Sequence, residues 1–172
     1  MVAREFIEPS KDYVAPMNLI LIAALTKDRI IGKDRVVPWD ISEDMQRFKR
    51  LTTGHPVLMG RGTYETLSSP LTDRRNVVLS SHPIDGVETF PTIAGALDVL
   101  RNEGDVHVIG GGQIFAQLLT SASELRLTIV DKKIQGDTFF PPYEHLIGSV
   151  FRLVSREQHE GFSFEDYVRM DR

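Results

Sequence analysis

The feature that most restricts the fold is the run Leu19-Ile20-Leu21-Ile22-Ala23-Ala24-Leu25, which is apolar at every position. A strand with one face in water alternates apolar and polar residues, whereas a strand covered on both faces is apolar throughout. The run is too short to span a bilayer, which takes roughly 20 apolar residues in a helix. It therefore predicts a central strand of a parallel sheet with a layer of helices on each side.

Shorter apolar runs and helix signals alternate along the rest of the chain, which is the pattern of βαβ units. Strands are predicted over residues 56–59, 76–80, 106–109 and 125–130, and helices over 42–54, 63–67, 92–100 and 113–119. Ser42 is the expected N-cap of the first helix, and Gly104 is expected to end the third. Segments 150–157 and 162–169 predict a hairpin. The predicted fold is α/β: three layers, with a mostly parallel central sheet, helices on both faces and an antiparallel C-terminal hairpin.

Length and composition limit the class of protein. A chain of 172 residues is the size of one domain. We expect residues 18–172 to form that domain and residues 1–17, which are polar and lack periodicity, to be an N-terminal extension. The net charge of −4, without a basic stripe, argues against nucleic-acid binding. Because the chain has no cysteine and its five histidines are scattered, no metal site is expected.

The expected location and assembly state follow from features that the sequence lacks. Neither a membrane segment nor a signal peptide is recognisable, so a cytoplasmic protein without membrane contact is expected. No apolar helix face is left obviously unaccounted for, which makes a monomer the default.

The segment Pro38-Trp39-Asp40-Ile41-Ser42-Glu43-Asp44-Met45-Gln46-Arg47-Phe48 contains the most informative acid. On a helix that starts at Ser42, Asp44 shares a stripe with Phe48, four residues further on. The ordinary interpretation of a first-turn acid is that the helix dipole favours it there. The alternative is a partly desolvated acid, whose pKa is raised by burial, and such groups are typical of active sites.

Two glycine-containing turns follow predicted strands. The turn Gly110-Gly111-Gly112 precedes the predicted helix 113–119. The turn Met59-Gly60-Arg61-Gly62-Thr63 joins the predicted strand 56–59 to the predicted helix 63–67. Such turns let backbone N–H groups approach an anion closely. A tight connection is nevertheless the usual explanation of the first turn, and a solvated arginine explains the second equally well. Arg74 and Arg75 are likewise either exposed charges or a clamp for a carboxylate.

Taken in order, these segments resemble dihydrofolate reductase from about residue 18 onward. The resemblance rests on Ile22-Ala23-Ala24 with Ile31-Gly32, Pro38-Trp39 followed by Asp44 and Phe48, Met59-Gly60-Arg61, Arg74-Arg75-Asn76, Ile109-Gly110-Gly111-Gly112, and Gly136-Asp137-Thr138-Phe139-Phe140-Pro141. Each segment alone is weak, but the ordered set is highly specific. It implies an enzyme that reduces 7,8-dihydrofolate to 5,6,7,8-tetrahydrofolate by hydride transfer from NADPH and so supplies one-carbon metabolism.

The resemblance also assigns roles to residues of this chain. It implies that Asp44 is the single ionisable group of the pterin pocket, that Thr128 supports it, that Trp39 belongs to the catalytic set, and that the proton arrives through ordered water. The implied substrate contacts are Ile22, Ala24, Met45, Phe48, Leu71, Arg74 and Ile109, with Arg74 pairing with the α-carboxylate of the folate glutamate. The implied NADPH contacts are Ala24, Ile31, Gly60, Arg61, Gly62, Thr63, Ser80, Ser81, Gly110, Gly111, Gly112, Gln113, Ile114 and Phe115. A lid over about residues 31–39 and a cis peptide between Gly110 and Gly111 are implied as well.

Two other functions are compatible with parts of the sequence. A pyrimidine reductase of the riboflavin pathway resembles this fold and its glycine turn, but it should lack the set formed by Pro38-Trp39, Asp44 and Phe48. A non-catalytic module that binds a nucleotide or a pterin would keep the cleft without chemistry, and the intact acid at position 44 argues against it.

Overall fold

The computed structural model describes residues 17–32 and 37–170. The expected extension, apart from Met17, and positions 33–36 of the expected lid lie outside these residues. The described strands are β1 (Asn18–Thr26), β2 (Ile30–Gly32), β3 (Val57–Gly60), β4 (Asn76–Leu79), β5 (Glu88–Phe90), β6 (Asp105–Gly110), β7 (Glu124–Val130), β8 (Thr138–Phe139), β9 (Phe151–His159) and β10 (Phe162–Arg169). The described helices are α1 (Ser42–Thr52), α2 (Arg61–Thr66), α3 (Ile93–Leu100) and α4 (Gly112–Leu118).

The central sheet has the strand order β5-β4-β3-β6-β1-β7-β10-β9. The pairs from β5 to β7 are parallel, and β10 is antiparallel to both β7 and β9. The continuously apolar strand β1 lies between β6 and β7, as predicted. Because the parallel strands run in one direction, their carboxyl ends meet at one edge of the sheet, where open α/β sheets bind ligands.

Alternation along the strands divides the buried side chains between the two faces of the sheet. One face carries Leu21, Val108 and Leu127, which belong to the same buried cluster as Leu100 of α3 and Phe115 of α4. The opposite face carries a second buried cluster, formed by Val57, Met59 and Val78 and packed against Tyr64 of α2. The three-layer prediction is therefore confirmed, with helices on both faces of a mostly parallel sheet.

The prediction of Ser42 as an N-cap is wrong by one residue. Ser42 is already helical, and the cap is Ile41, whose extended backbone has φ −123° and ψ 104° and makes no side-chain hydrogen bond to the helix. The N–H groups of Asp44 and Met45 both donate to the Ile41 carbonyl, at 3.1 and 3.2 Å. The backbone geometry thus fixes the start of α1 without a capping side chain.

The other predicted elements form with small differences in their ends. Thr92 caps α3 by accepting a hydrogen bond from the Gly95 N–H at 3.1 Å. That helix ends at Leu100, and residues 101–104 form a turn before β6, so Gly104 does not end it. The hairpin of β9 and β10 is confirmed. β5 and the small two-stranded sheet of β2 and β8 were not predicted from the sequence.

Candidate active site

The first turn of α1 places Asp44 against the sheet. The hydroxyl of Thr128, on β7, donates to Asp44 Oδ1 at 2.5 Å. Thr128 is buried and lies opposite Ala24 of β1, so this contact holds the carboxylate over the two central strands. The predicted pairing of Asp44 with Thr128 therefore has a direct structural basis.

The surroundings of Asp44 set its acidity. Burial raises the pKa of the Asp44 carboxyl above its ordinary value, while the Thr128 hydrogen bond and the positive charge of Arg47 act in the opposite direction. The effect of burial is the largest of the three. Of the two interpretations of this first-turn acid, the structure supports the partly desolvated one.

The residues expected to line the substrate slot differ in how deeply they are buried. Ile22 and Ala24 on β1 lie on the same face of the sheet as Thr128, and Ile109 follows near the carboxyl end of β6. Phe48 is half-buried on α1, but Met45 is 62% exposed. The site thus has an apolar floor next to Asp44, with Met45 at its outer surface.

The two adjacent arginines differ in how their charge is used. Arg75 is ion-paired with Glu88 at 2.7 Å and with Glu103 at 2.9 Å. Arg74 forms no ion pair with any residue of the described chain, and its Nη1 donates to Thr52 Oγ1 at 3.0 Å. Arg74 is therefore the better of the two candidates for an external carboxylate.

The loop that precedes β4 is held by Asn76, a residue that the sequence analysis did not single out for a role. Its amide accepts from the Leu71 N–H at 2.9 Å and donates to the Leu71 and Arg74 carbonyls, both at 2.8 Å. These bonds fix the backbone of the loop from Leu71 to Arg74, and Arg74 contacts Thr52 at the C-terminal end of α1.

The glycine turn after β6 has the expected cis peptide between Gly110 and Gly111. Gly110 has φ +123°, and a Cβ there would lie 3.3 Å from the ring of Phe115. A Cβ on Gly111 would lie 3.5 Å from the Thr63 hydroxyl. Phe115 itself is buried against Phe140, with ring centroids 5.0 Å apart, so it supports the turn from within the core.

Most of the other residues expected at NADPH lie around the carboxyl ends of β3, β4 and β6. Arg61 is exposed and pairs with Glu65 at 2.8 Å, Ser80 is buried, and Ser81 hydrogen-bonds His82 at 2.9 Å. Ile114 lies against Gly60, where a Cβ would come within 3.2 Å of its side chain. Gly62 and Gln113 are exposed. Away from this edge, Ile31 of β2, also expected at NADPH, and Trp39, expected in the catalytic set, are half-buried. This edge offers bare glycine backbone, hydroxyl groups and a guanidinium, which fit an anionic nucleotide such as NADPH.

A group of buried charges behind Asp44 was missed. Arg47 of α1 pairs with Asp166 of β10 at 2.6 Å, and Asp166 also pairs with Arg126 of β7 at 3.1 Å. The available signal was Arg47 itself, one helical turn from Asp44 on a helix with an apolar stripe. Its partner, however, is known only once β10 is placed beside β7.

Comparison with known proteins identifies relatives over most of the chain. The family model for dihydrofolate reductase matches residues 18–169. Dihydrofolate reductase type 3 of Salmonella typhimurium is 45% identical over 130 residues, 74% of this chain and 80% of the relative. Dihydrofolate reductase HdrB of Haloferax volcanii is 36% identical over 168 residues, 90% of this chain and 85% of the relative.

A solved structure has the same architecture. Dihydrofolate reductase from Enterococcus faecalis, complexed with NADP(H) and RAB-propyl, superimposes with a TM-score of 0.80 at 29% sequence identity. The match covers 90% of this chain and 97% of that one. In the described part of this chain, no helix is both long and apolar enough to cross a membrane.

Proposed function

Because this chain belongs to the dihydrofolate reductase family, we propose that the site around Asp44 is where it reduces 7,8-dihydrofolate to 5,6,7,8-tetrahydrofolate with NADPH. The observation that supports this location is the Asp44–Thr128 contact at the edge where the parallel strands end. A half-buried carboxylate beside an apolar floor suits the flat, nitrogen-rich edge of a pterin. Family membership disfavours both a riboflavin-pathway reductase and a non-catalytic module.

In this proposal Asp44 orients and polarises the substrate. Its carboxylate accepts hydrogen bonds from the exocyclic amine and a ring nitrogen of the pterin, and Thr128 holds one carboxylate oxygen in place. The bound carboxylate raises the basicity of the nitrogen next to the hydride-accepting carbon, and water delivers a proton to that nitrogen. NADPH, when bound, supplies the hydride that reduces the carbon end of the same C=N bond.

The remaining assignments follow the same geometry. Arg74 binds the α-carboxylate of the folate glutamate through the N–H groups of its guanidinium that are not donated to Thr52 and to the Thr72 carbonyl. Ile22, Ala24, Phe48 and Ile109 line the pterin, with Met45 and Leu71 along the rest of the substrate. Trp39, which precedes α1 and is half-buried, helps to exclude water from the site. The turn of Gly110 to Gly112, with the residues at the ends of β3 and β4, holds NADPH.

We also propose that residues 18–172 form the catalytic domain and act as a monomer in the cytoplasm. The family match begins at residue 18, and the buried core begins at Leu19. The absence of cysteine is compatible with a reducing compartment.

The test of the proposed function is a substitution at Asp44. The wild-type enzyme is expected to oxidise NADPH only when dihydrofolate is present. Asp44→Asn is expected to reduce turnover near neutral pH by about 100-fold or more, because the amide cannot polarise the pterin in the same way. NADPH binding, measured by fluorescence titration, should be retained.

The matched control is Glu43→Gln, which changes an exposed acid in the same turn of α1. This variant should keep wild-type turnover. Undiminished turnover in Asp44→Asn, or an equal loss in both variants, would contradict the assignment of Asp44.

A further inference from the structure

The ion pair between Arg47 and Asp166 is unusual because it is nearly excluded from water. The two side chains are only 10% and 13% exposed, and the Arg47 Nη2 and Asp166 Oδ1 atoms are 2.6 Å apart. The Arg47 guanidinium also lies over the Phe164 ring, 4.5 Å from its centroid. One cation therefore contacts two side chains of β10 at once.

The register of the sheet explains why these contacts lie beside Asp44. Phe164 of β10 is opposite Thr128 of β7, and Asp166 is opposite Arg126. These alternate positions point to the face that α1 covers. Asp44 and Arg47 are three residues apart on α1 and so point to the same side of the helix. Asp44 contacts Thr128 in the first of these cross-strand pairs, and Arg47 contacts Asp166 in the second.

Such a pair is not explained by stability alone. Removing two charges from water costs about as much as their attraction returns, and packed apolar residues of similar size often stabilise a fold equally well. α1 already has half-buried apolar side chains to pack on the sheet. The position of the pair, next to the one acid on which the proposed function depends, therefore calls for a second explanation.

We propose that Arg47, held by Asp166 and Phe164, is a positioning residue of the active site: it fixes α1 on the β7–β10 pair and keeps a positive charge one helical turn from Asp44. This inference rests on the proposed function only for the role of Asp44 in turnover. We call the set of Arg47, Asp166 and Phe164 the α1 clamp.

The charged groups around Asp44 determine the direction of the expected effect. Glu43 and Arg47 lie on its own helix, and Arg126 with Glu124 and Asp166 lie on the two strands that α1 covers. The positions of β1 on this face, Ile22 and Ala24, are uncharged. Arg47 favours the ionised form of Asp44 and partly offsets the effect of burial. Asp166, the ion-pair partner of Arg47, neutralises part of the Arg47 charge.

The experiment is a titration of the Asp44 carboxyl in the ligand-free protein. Aspartate is labelled with ¹³C at the carboxyl carbon, and the Asp44 resonance is assigned by its loss in Asp44→Asn. The titration midpoint is then measured in Arg47→Met, Arg47→Lys and Asp166→Asn, with circular dichroism to confirm that each variant is folded. Turnover against pH is recorded for the same proteins.

The clamp predicts shifts of opposite sign. Arg47→Met removes the cation and should move the Asp44 midpoint upward, whereas Asp166→Asn leaves the cation unneutralised and should move it downward. Arg47→Lys retains the charge and should restore most of the wild-type midpoint. Arg156→Met is the matched control, because Arg156 is 56% exposed and pairs with Glu165, a neighbour of Asp166 on β10. The Asp44 midpoint in Arg156→Met should equal the wild-type midpoint.

Two results would overturn the inference. One is an unchanged Asp44 midpoint in the folded Arg47→Met and Asp166→Asn proteins, which would leave the pair with a structural role only. The other is a shift of the same sign in both, which would indicate altered burial instead of altered charge. Opposite shifts in the titration without any change in the pH profile of turnover would support the clamp and contradict the role of Asp44 in the proposed function.

Discussion

His107 is a single residue whose protonated form is disfavoured by the fold. It lies on β6 and is 3% exposed, and its Nδ1 has no hydrogen-bond partner in the described part of the chain. Its ring is 5.5 Å from that of His55. Burial, and then the charge of His55, lower the pKa of His107 to about 4. At a pH between about 4 and 6.5, the imidazole of His107 is therefore neutral in the folded protein and protonated in the unfolded chain.

This shift predicts a loss of stability in acid. Between pH 6.5 and about 4 the unfolded chain binds a proton that the folded protein does not, so the free energy of unfolding falls as pH falls through that range. The loss attributable to His107 is on the order of 3 kcal/mol. His107→Leu should remove this part of the pH dependence, as measured by urea unfolding between pH 7 and pH 4.

The control for His107 is His145→Gln, which removes an exposed histidine and should keep the wild-type slope. If His107→Leu keeps that slope too, the acid sensitivity arises elsewhere.

The sequence singles out Asp44 as the candidate acid of the proposed site, but not the charged residues that lie around it. Asp44 stands out because an acid next to Pro38-Trp39 and Phe48 is a distinctive combination. Arg47 gives only a weak signal, its place one helical turn from Asp44, because an arginine on a helix is usually solvated. Its burial depends on Asp166, which is 119 positions away in the chain, and local patterns contain no information about that pairing.

The elements that sequence predicts well are those with enough residues to show a period. β1 and the hairpin of β9 and β10 are long, and their patterns are clear. β5 has three residues and β8 has two, which is too short for any periodicity, and they become strands only because a partner is adjacent. The start of α1 was misplaced because a serine is favoured at a cap, whereas here the extended backbone of Ile41 makes the cap.

The close packing of the start of α4 against β8 can be tested by a substitution at Gly112. A Cβ added to Gly112 would lie 2.6 Å from the Phe139 carbonyl oxygen, a backbone atom that cannot move independently of β8. Gly112→Ala is therefore expected to destabilise the protein by about 1–3 kcal/mol. Thermal or urea unfolding measures the effect.

Gly62 provides the matched substitution for Gly112. It lies within α2, and no heavy atom comes within 4 Å of its added Cβ. Gly62→Ala should be neutral or stabilise the protein by up to about 1 kcal/mol. Equal stabilities of the two alanine variants would show that the contact between α4 and β8 is not a tight one.

At the scale of the whole molecule, the described central sheet has β1 in its interior and ends at the edge strands β5 and β9. β5 is a very short edge strand, and β9 is an exposed one that carries Arg152, Arg156 and Glu157. Short or charged edges oppose pairing with a second molecule. This arrangement supports the proposed monomer.

The proposed domain boundary predicts that a chain beginning at Met17 is sufficient. Asn18 is already bound to the core through its N–H, which donates to the Gly104 carbonyl at 2.8 Å. The shortened chain should match the full chain in turnover, in monomeric mass by light scattering, and in free energy of unfolding within about 0.5 kcal/mol. A large loss of stability or activity would place part of residues 1–16 within the functional domain.

The antiparallel placement of β10 also has a consequence for biosynthesis. A ribosome makes α1 long before it makes β10, so a nascent chain contains Asp44 while Arg47 still lacks its counter-ion. A contact between segments so distant in sequence carries a large loop-closure cost in conformational entropy. The surroundings of the Asp44 carboxylate are thus completed only when the hairpin packs on β7, and a translation product that stops before the hairpin would contain Asp44 and Arg47 without the Asp166 counter-ion.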